Sequence, residues 1–193
     1  MAGKAGWAPF LPSGLFMRTV ALEYKEVIAD ILWIQGIQLI ARKTDTNTDA
    51  VEASELYALL DLATDLDSRF FYPCKAGGIA LSILFSRSDL SNALLLKGLK
   101  NIPTDWQFPF YIGFNYLYHE HNQGKAVFYM ETASRFSDAP TYLPFLVARL
   151  HRQGGDPKTA ILFLKGVYLT TKDEKMREKI AQRISEIEKG LDL

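Results

Sequence analysis

The chain has 193 residues, about the length of one domain, and its 48% hydrophobic, 12% aromatic and 23% charged residues exclude disorder over most of that length. Twenty-two Lys and Arg balance 22 Asp and Glu, so no net charge favours binding to nucleic acid or to anionic lipid. The single cysteine, Cys74, cannot form an internal disulfide, so packing alone must hold the fold together.

Residues 1–15 are predicted to be an irregular N-terminal arm. Gly and Pro residues interrupt Trp7, Phe10 and Leu11, a pattern that excludes the continuous apolar stretch of a secretory signal. No segment reaches the roughly 18 uninterrupted apolar residues of a membrane-spanning helix. A membrane tether would therefore need a segment absent from this chain. The compartment stays open between the cytoplasm and a membrane-tethered, periplasm-facing location.

Residues 16–171 carry an internal repeat. Three segments share a template of an apolar residue, Pro, three further residues and then Gly or Ala. Their prolines, Pro73, Pro109 and Pro144, are 36 and 35 residues apart. Slim residues form a second series at steps of 35, 35 and 34, each preceded by Leu or Met three positions earlier; this series is Ala63, Gly98, Ala133 and Val167. Two independent series with one period indicate stacked repeats.

Each repeat is predicted to be a pair of antiparallel helices. Pro is tolerated in the first turn of a helix because its missing N–H would have no partner there. In the fourth repeat, Gly154 and Gly155 suit the end of the first helix, while Asp156 and Pro157 suit the cap and the first residue of the second. A polar loop, residues 44–49, separates the two helices of the first repeat.

Residues 172–193 are predicted to form a C-terminal capping helix. Thr171 and Glu174 have the spacing of a capping box. One apolar stripe follows at steps of 4, 4, 3 and 4 residues, through Met176, Ile180, Ile184, Ile187 and Leu191. Such a helix covers the last repeat with one face and presents its other faces to water, as the end unit of a stacked array must.

The period, the hairpins and the slim residues together resemble the tetratricopeptide repeat. In the fourth hairpin, Ala148 and Ala160 keep the family's spacing of 12 residues between small positions. The resemblance implies an all-α, right-handed solenoid of about four helical hairpins, with a concave groove lined by the first helix of each. It also implies a non-enzymatic module that binds a protein or peptide partner and needs no cofactor. The start of the chain is similar to bacterial tetratricopeptide proteins tethered to the inner membrane.

Carried over to this chain, the resemblance implies a groove with a ridge of aromatic rings and two guanidinium groups. The predicted partner-binding residues are Gln38, Phe110, Phe114, Tyr118, Tyr142, Phe145, Arg149 and Arg152. The second hairpin is expected to line the same groove with the small residues Cys74, Gly78 and Ser82. Two alternatives for the rings stay open: packing between neighbouring hairpins, or cover by the arm from Trp7 to Phe16.

Two other classes of function are compatible with the sequence. A structural protein would use the same surfaces to form a homo-oligomer. An enzyme or a metal-binding protein would need His119 and His121, or Cys74. The two histidines lack the i, i+3 or i, i+4 spacing of ligands on one helix face. Cys74 follows Pro73 in a first turn, where the pKa of a thiol can fall, but no partner motif accompanies it. The sequence therefore favours neither a metal site nor a catalytic residue.

Overall fold

The computed structural model describes residues 24–42 and 50–190 of the chain. The predicted N-terminal arm and the polar loop at 44–49 lie outside the described residues. Within the described part there are nine α-helices and no strand, so the all-α prediction is confirmed. The chain divides into two compact units, of which unit 1 ends at Ile102 and unit 2 begins at Pro103.

Unit 1 contains four helices: α1 Lys25–Arg42, α2 Ala50–Leu66, α3 Phe71–Ile83 and α4 Ser88–Asn101. Each packs on the next, and α1 also contacts α3 while α2 contacts α4. Leu60 of α2 is fully buried at the two glycines that allow this approach. A Cβ added at Gly36 would lie 2.9 Å from a Leu60 methyl, and one at Gly77 would meet the same side chain more closely still. Glycine at these positions therefore lets both helices approach Leu60 without displacing it.

Unit 2 contains five helices: α5 Gln107–Tyr118, α6 Gln123–Ser134, α7 Leu143–Gln153, α8 Pro157–Thr170 and α9 Glu174–Lys189. Each of them packs on the next. One core cluster joins Met130 of α6 to Val147 and Leu150 of α7. A second cluster joins the last hairpin to α9 through Ala148, Ala160, Ile161, Leu164, Met176, Ile180 and Ile187. The predicted capping helix is thus confirmed, with its apolar stripe against the last hairpin from Met176 to Ile187; Leu191, the last residue predicted for the stripe, lies outside the described residues.

The repeat series found in the sequence occupies packing positions. Leu60, Leu95, Met130 and Leu164 are buried in the second helices of the four hairpins. Pro73, Pro109 and Pro144 all lie in the first turn of a helix, as predicted. Consecutive helices pair as hairpins, which is consistent with a solenoid. The right-handedness of that solenoid stays a prediction.

The ends of the first helices show a further periodic feature. Ser86, His121 and Gly155 all have a positive φ, of 52°, 51° and 81°, and they are 35 and 34 residues apart. The residue after each donates its N–H back to a carbonyl in the last turns of the preceding helix. The repeat is therefore also a repeat of backbone conformation. Only Gly155 is of the type that ordinarily adopts this region, which is why the sequence indicated this backbone conformation at only one of the three turns.

The predicted helix caps are confirmed at α8 and wrong at α9. The Asp156 carboxylate accepts the N–H of Thr159 at 2.9 Å, and Pro157 is the first residue of α8. The capping box at Thr171 and Glu174 does not form. Thr171 instead ends α8 in an extended conformation, and Asp173 caps α9 by accepting the N–H groups of the two residues after Glu174. A carboxylate next to the first turn is also favoured by the helix dipole.

Candidate functional site

Unit 2 carries a cleft of about 620 Å³ lined mainly by aromatic and aliphatic side chains. We call it the aromatic cleft. Its lining residues are Phe110, Phe114, Leu117 and Tyr118 of α5, Met130 of α6, Tyr142, Phe145, Leu146 and Arg149 of α7, and Arg183 of α9. Six of the eight residues predicted to bind a partner line this one cleft. The structure therefore brings most of the predicted set together.

Helix α5 supplies the ridge of rings on one wall of the cleft. Phe110, Phe114 and Tyr118 follow one another at steps of four residues, so they share a helix face. The rings of Phe114 and Tyr118 are 4.5 Å apart between centroids. Phe114 is half-buried because it also packs on the core cluster of α6 and α7, whereas Tyr118 is 59% exposed. The ridge thus combines a partly structural ring with a surface ring.

Helix α7 supplies the middle of the cleft. Tyr142 is 54% exposed, and Phe145 is half-buried against the core cluster that joins the last hairpin to α9. Arg149, one turn further along, is exposed and makes no ion pair with any described residue. Its guanidinium is therefore available to a carboxylate of a bound molecule.

Helix α9 contributes a cation that the sequence analysis did not include. Arg183 lines the aromatic cleft and donates a hydrogen bond to Glu186 at 2.7 Å. That bond, with a smaller contribution from Gln182, holds the pKa of Glu186 below its usual range. Arg152, one of the predicted residues, lies exposed at the end of α7 and does not line the cleft, although its charge also lowers the pKa of Glu186.

A second, smaller cleft adjoins the first in unit 2. It has a volume of about 370 Å³ and is called the basic cleft here; its lining residues are Thr141, Tyr142, Phe145, Asp173, Lys175, Met176 and Lys179. Tyr142 and Phe145 line both clefts. These two rings therefore share the aromatic cleft with the rings of α5, and the basic cleft with Lys175 and Lys179 of α9.

The lining expected from the second hairpin is wrong. Cys74 and Ser82 are 1% and 2% exposed, and a Cβ at Gly78 would lie 2.7 Å from Leu95 of α4. These small residues serve close helix packing and do not face a groove. Gln38, the remaining predicted residue, is exposed on α1 in unit 1 and lines neither of the two clefts of unit 2.

The residues considered for chemistry are not assembled into a site. Burial raises the pKa of the Cys74 thiol to about 11, which is the opposite of what a nucleophilic cysteine needs. His119 and His121 are both exposed at the turn after α5. Over residues 24–42 and 50–190, no three His, Cys, Asp or Glu side chains are grouped so that they could hold a metal ion.

The third histidine has a structural partner. His151 lies in the last turn of α7, and its Nε2 is 2.7 Å from a carboxylate oxygen of Glu131 on α6. Both side chains are largely buried, and the imidazole also lies near the ring of Phe163, tilted by 41° with 6.3 Å between the ring centroids. The pair joins two consecutive helices of unit 2, so it belongs to the packing of the second and third helices of that unit.

The chain was compared with known proteins by sequence. No protein-family model matches it, and no curated protein is significantly similar to it. Of the helices described, none has both the length and the apolar character needed to cross a membrane.

Proposed function

We propose that the chain is a non-enzymatic, tetratricopeptide-like interaction module that binds a peptide segment of a protein partner in the aromatic cleft of unit 2. The observation that carries this proposal is the exposure of Tyr118 and Tyr142, which both line a cleft of about 620 Å³. A patch of exposed rings in a concave surface is uncommon unless it binds something.

The composition of the cleft supports binding rather than catalysis. Its lining contains tyrosine, phenylalanine, leucine and methionine side chains with two arginines, and no carboxylate, imidazole or thiol among the described lining residues. Tyrosine and arginine are the residues that most often dominate the binding free energy of protein interfaces. Phe114 and Phe145 anchor the cleft to the core, so the surface is held in place before a partner arrives.

Selection from a random peptide library tests the proposal without assuming a partner. The wild-type chain should enrich peptides with apolar anchors, and Tyr118→Ala combined with Tyr142→Ala should weaken their binding by at least about tenfold. The matched control removes two equally exposed rings outside the cleft, Tyr72 and Phe128, which are 60% and 64% exposed. Peptides that bind all three proteins equally well would contradict the proposal.

A second function, homo-oligomerisation, is favoured by a separate observation in unit 1. Helix α1 exposes Val27, Ile31 and Ile34 at steps of 4 and 3 residues, each about half exposed, while Ala29 and Leu32 face its own core. This spacing forms an apolar stripe outside the core, as in helices that pair with a second helix. Mass measurement over a range of concentrations tests it: self-association that Ile31→Glu abolishes would support it, and a monomer at all concentrations would exclude it.

A further inference from the structure

Helix α9 carries a row of cationic side chains along the clefts of unit 2. Lys175, Lys179 and Arg183 follow one another at steps of four residues and so lie on one helix face. Each directly precedes a residue of the apolar stripe that packs on the last hairpin, namely Met176, Ile180 and Ile184. The row is therefore fixed at the edge of the apolar surface, because the stripe holds the rotation of α9.

The charged side chains that line the two clefts are mostly cationic. Their lining residues include four cations, Arg149, Lys175, Lys179 and Arg183, and a single carboxylate, Asp173. Asp173 is occupied as the cap of α9. Glu186, an acid beyond the lining, is paired with Arg183. An excess of positive charge thus stands beside an apolar surface in a chain whose net charge is zero.

The spacing of the row fits the geometry of an extended peptide. Four residues of an α-helix advance about 6 Å, and two residues of an extended chain advance about 6.6 Å. Alternate side chains of an extended peptide point to opposite sides. Carboxylates at every second position can therefore meet successive cations of α9, while the intervening side chains point to the rings of α5 and α7.

We infer that the partner segment is an extended peptide in which acidic residues alternate with apolar or aromatic ones. This inference rests on the proposed function and names its ligand class. The acidic side chains pair with Lys175, Lys179 and Arg183, with Arg149 as a further cation, and the apolar side chains enter the aromatic cleft. Salt bridges at such a rim contribute mainly specificity and association rate, and the buried rings contribute most of the affinity.

The charge pattern argues against the chain's own N-terminus as the occupant. Residues 1–22 contain Lys4 and Arg18 and no Asp or Glu. A segment with that composition satisfies the apolar part of the surface but brings no acidic partner to Lys175 and Lys179. The acidic peptide satisfies both.

The test uses three capped peptides of equal length and the full chain. The first alternates Glu with Phe and Leu, the second holds the same residues with all Glu in one block, and the third replaces Glu by Gln. We expect the alternating acidic peptide to bind at least about tenfold more tightly than either of the others at low salt, and to lose most of that advantage at high salt.

Matched variants identify the cations responsible. Lys179→Gln combined with Arg183→Gln should weaken the alternating acidic peptide about tenfold and leave the Gln peptide unchanged. The control, Lys172→Gln combined with Lys189→Gln, removes the same charge from exposed positions outside both clefts and should have no effect. Equal loss in both variants would show a general charge effect and overturn the inference.

The remaining outcomes separate the inference from the proposed function. Library peptides that need Tyr118 and Tyr142 but carry no acidic residues would overturn the inference and leave the proposed function standing. Binding of none of the three peptides overturns the inference. Binding of phosphatidylserine vesicles in place of the peptides, lost in Lys179→Gln with Arg183→Gln, overturns it in favour of a lipid surface.

Discussion

Helices α3 and α5 are the first helices of two successive hairpins and share one sequence template. The residues at their matching positions nevertheless differ, because those of α3 are buried and those of α5 line a cleft. Cys74, Gly78 and Ser82 of α3 are buried, and Gly78 brings the α3 backbone close to Leu95 of α4. The positions 36 residues later in α5 carry three aromatic rings, which line an open cleft. Both helices carry a proline in the first turn and a glycine that packs on the second helix of the hairpin. The volume of three side chains therefore distinguishes the buried face of α3 from the cleft-lining face of α5.

The comparison also shows how one ring can serve both purposes. Phe114 of α5 matches Gly78 of α3, and both positions approach the second helix of their hairpin, at Met130 and Leu95. At Gly78 the absence of a side chain lets the two helices come close together. Phenylalanine fills the space and extends beyond it to the surface. The aromatic wall is therefore anchored in the core, and its outermost ring, Tyr118, is the most exposed.

The largest effect is expected where unit 2 ends. Deletion of residues 172–193 removes Met176, Ile180 and Ile187 from the last core cluster and exposes the apolar face of α8. The loss of three buried side chains is about 5 kcal/mol or more, enough to unfold the unit or make it aggregate. Light scattering of the truncated chain measures this. Ile180→Asp in the full chain should reproduce the effect, and a monodisperse, equally stable truncated chain would contradict it.

The seam of unit 1 should not tolerate a large side chain. Gly77→Leu places atoms where Leu60 and Leu94 already lie and should lower the free energy of unfolding by about 3 kcal/mol. The matched control is Gly166→Leu on α8, where a Cβ meets nothing within 4 Å. That change should be neutral or stabilise by a few tenths of a kcal/mol, because leucine favours the helix more than glycine does. Denaturant melts of equal midpoint would show that α3 does not pack as described.

Two rings of the α5 ridge, Phe114 and Tyr118, should differ in how much stability is lost when each is replaced by alanine. Phe114→Ala should cost about 2 kcal/mol, less than the roughly 3 to 5 kcal/mol of a fully buried ring, because Phe114 is half-buried on Met130, Val147 and Leu150. Tyr118→Ala should change stability by less than about 0.5 kcal/mol. Thermal melting of both variants measures the difference. If Tyr118→Ala melts at a temperature as low as that of Phe114→Ala, Tyr118 is also a core residue, and the ridge does not provide an open binding surface.

The smallest effect concerns an ion cluster that joins α2 and α4 in unit 1. The Lys97 ammonium is 2.7 Å from carboxylate oxygens of both Asp61 and Asp65. Burial lowers the pKa of Lys97, but the hydrogen bonds and charges of the two carboxylates outweigh it, so the pKa is raised overall. The stability that Lys97 contributes is therefore present below its ordinary pKa of 10.5 and is lost as the pH rises through the raised value.

Lys97→Met tests this contribution. The variant should lose about 1 kcal/mol at neutral pH, since the pair is partly exposed and two carboxylates are left together. Wild type and variant should converge in stability as the pH rises through the raised pKa of Lys97. A gap that stays constant with pH would show that Lys97 acts through its hydrocarbon chain alone.

The sequence predicted the parts of the fold that depend on local pattern. The proline and slim-residue series located the hairpins because they report where helices begin and where they touch. The positive φ of Ser86 and His121 was not predicted, because the polar residues there indicate a turn but not its backbone conformation, which the paired helices impose. The position of the α9 cap was missed because two adjacent candidates, Thr171 and Asp173, both suit a cap, and the length of α8 decides between them.

The site was predicted less completely than the fold. The aromatic residues of α5 and α7 were found because they occupy the same repeat positions. The burial of Cys74 and Ser82 could not be read from their type, since small residues suit both a seam and the floor of a groove. The cations of α9 lay outside the repeat template. Their signal was nevertheless present, as three basic residues at steps of four beside the apolar stripe.

Chemical-shift mapping with the alternating acidic peptide tests the contrast between α3 and α5 most directly. Backbone amide signals of the folded chain would be followed as the peptide is added. The account predicts shifts along the ridge of α5, at Tyr142 to Arg149 of α7 and at Lys175 to Arg183 of α9, and none at Cys74, Gly78 or Ser82 of α3. Shifts confined to unit 1, or spread evenly over the exposed residues of both units, would contradict it.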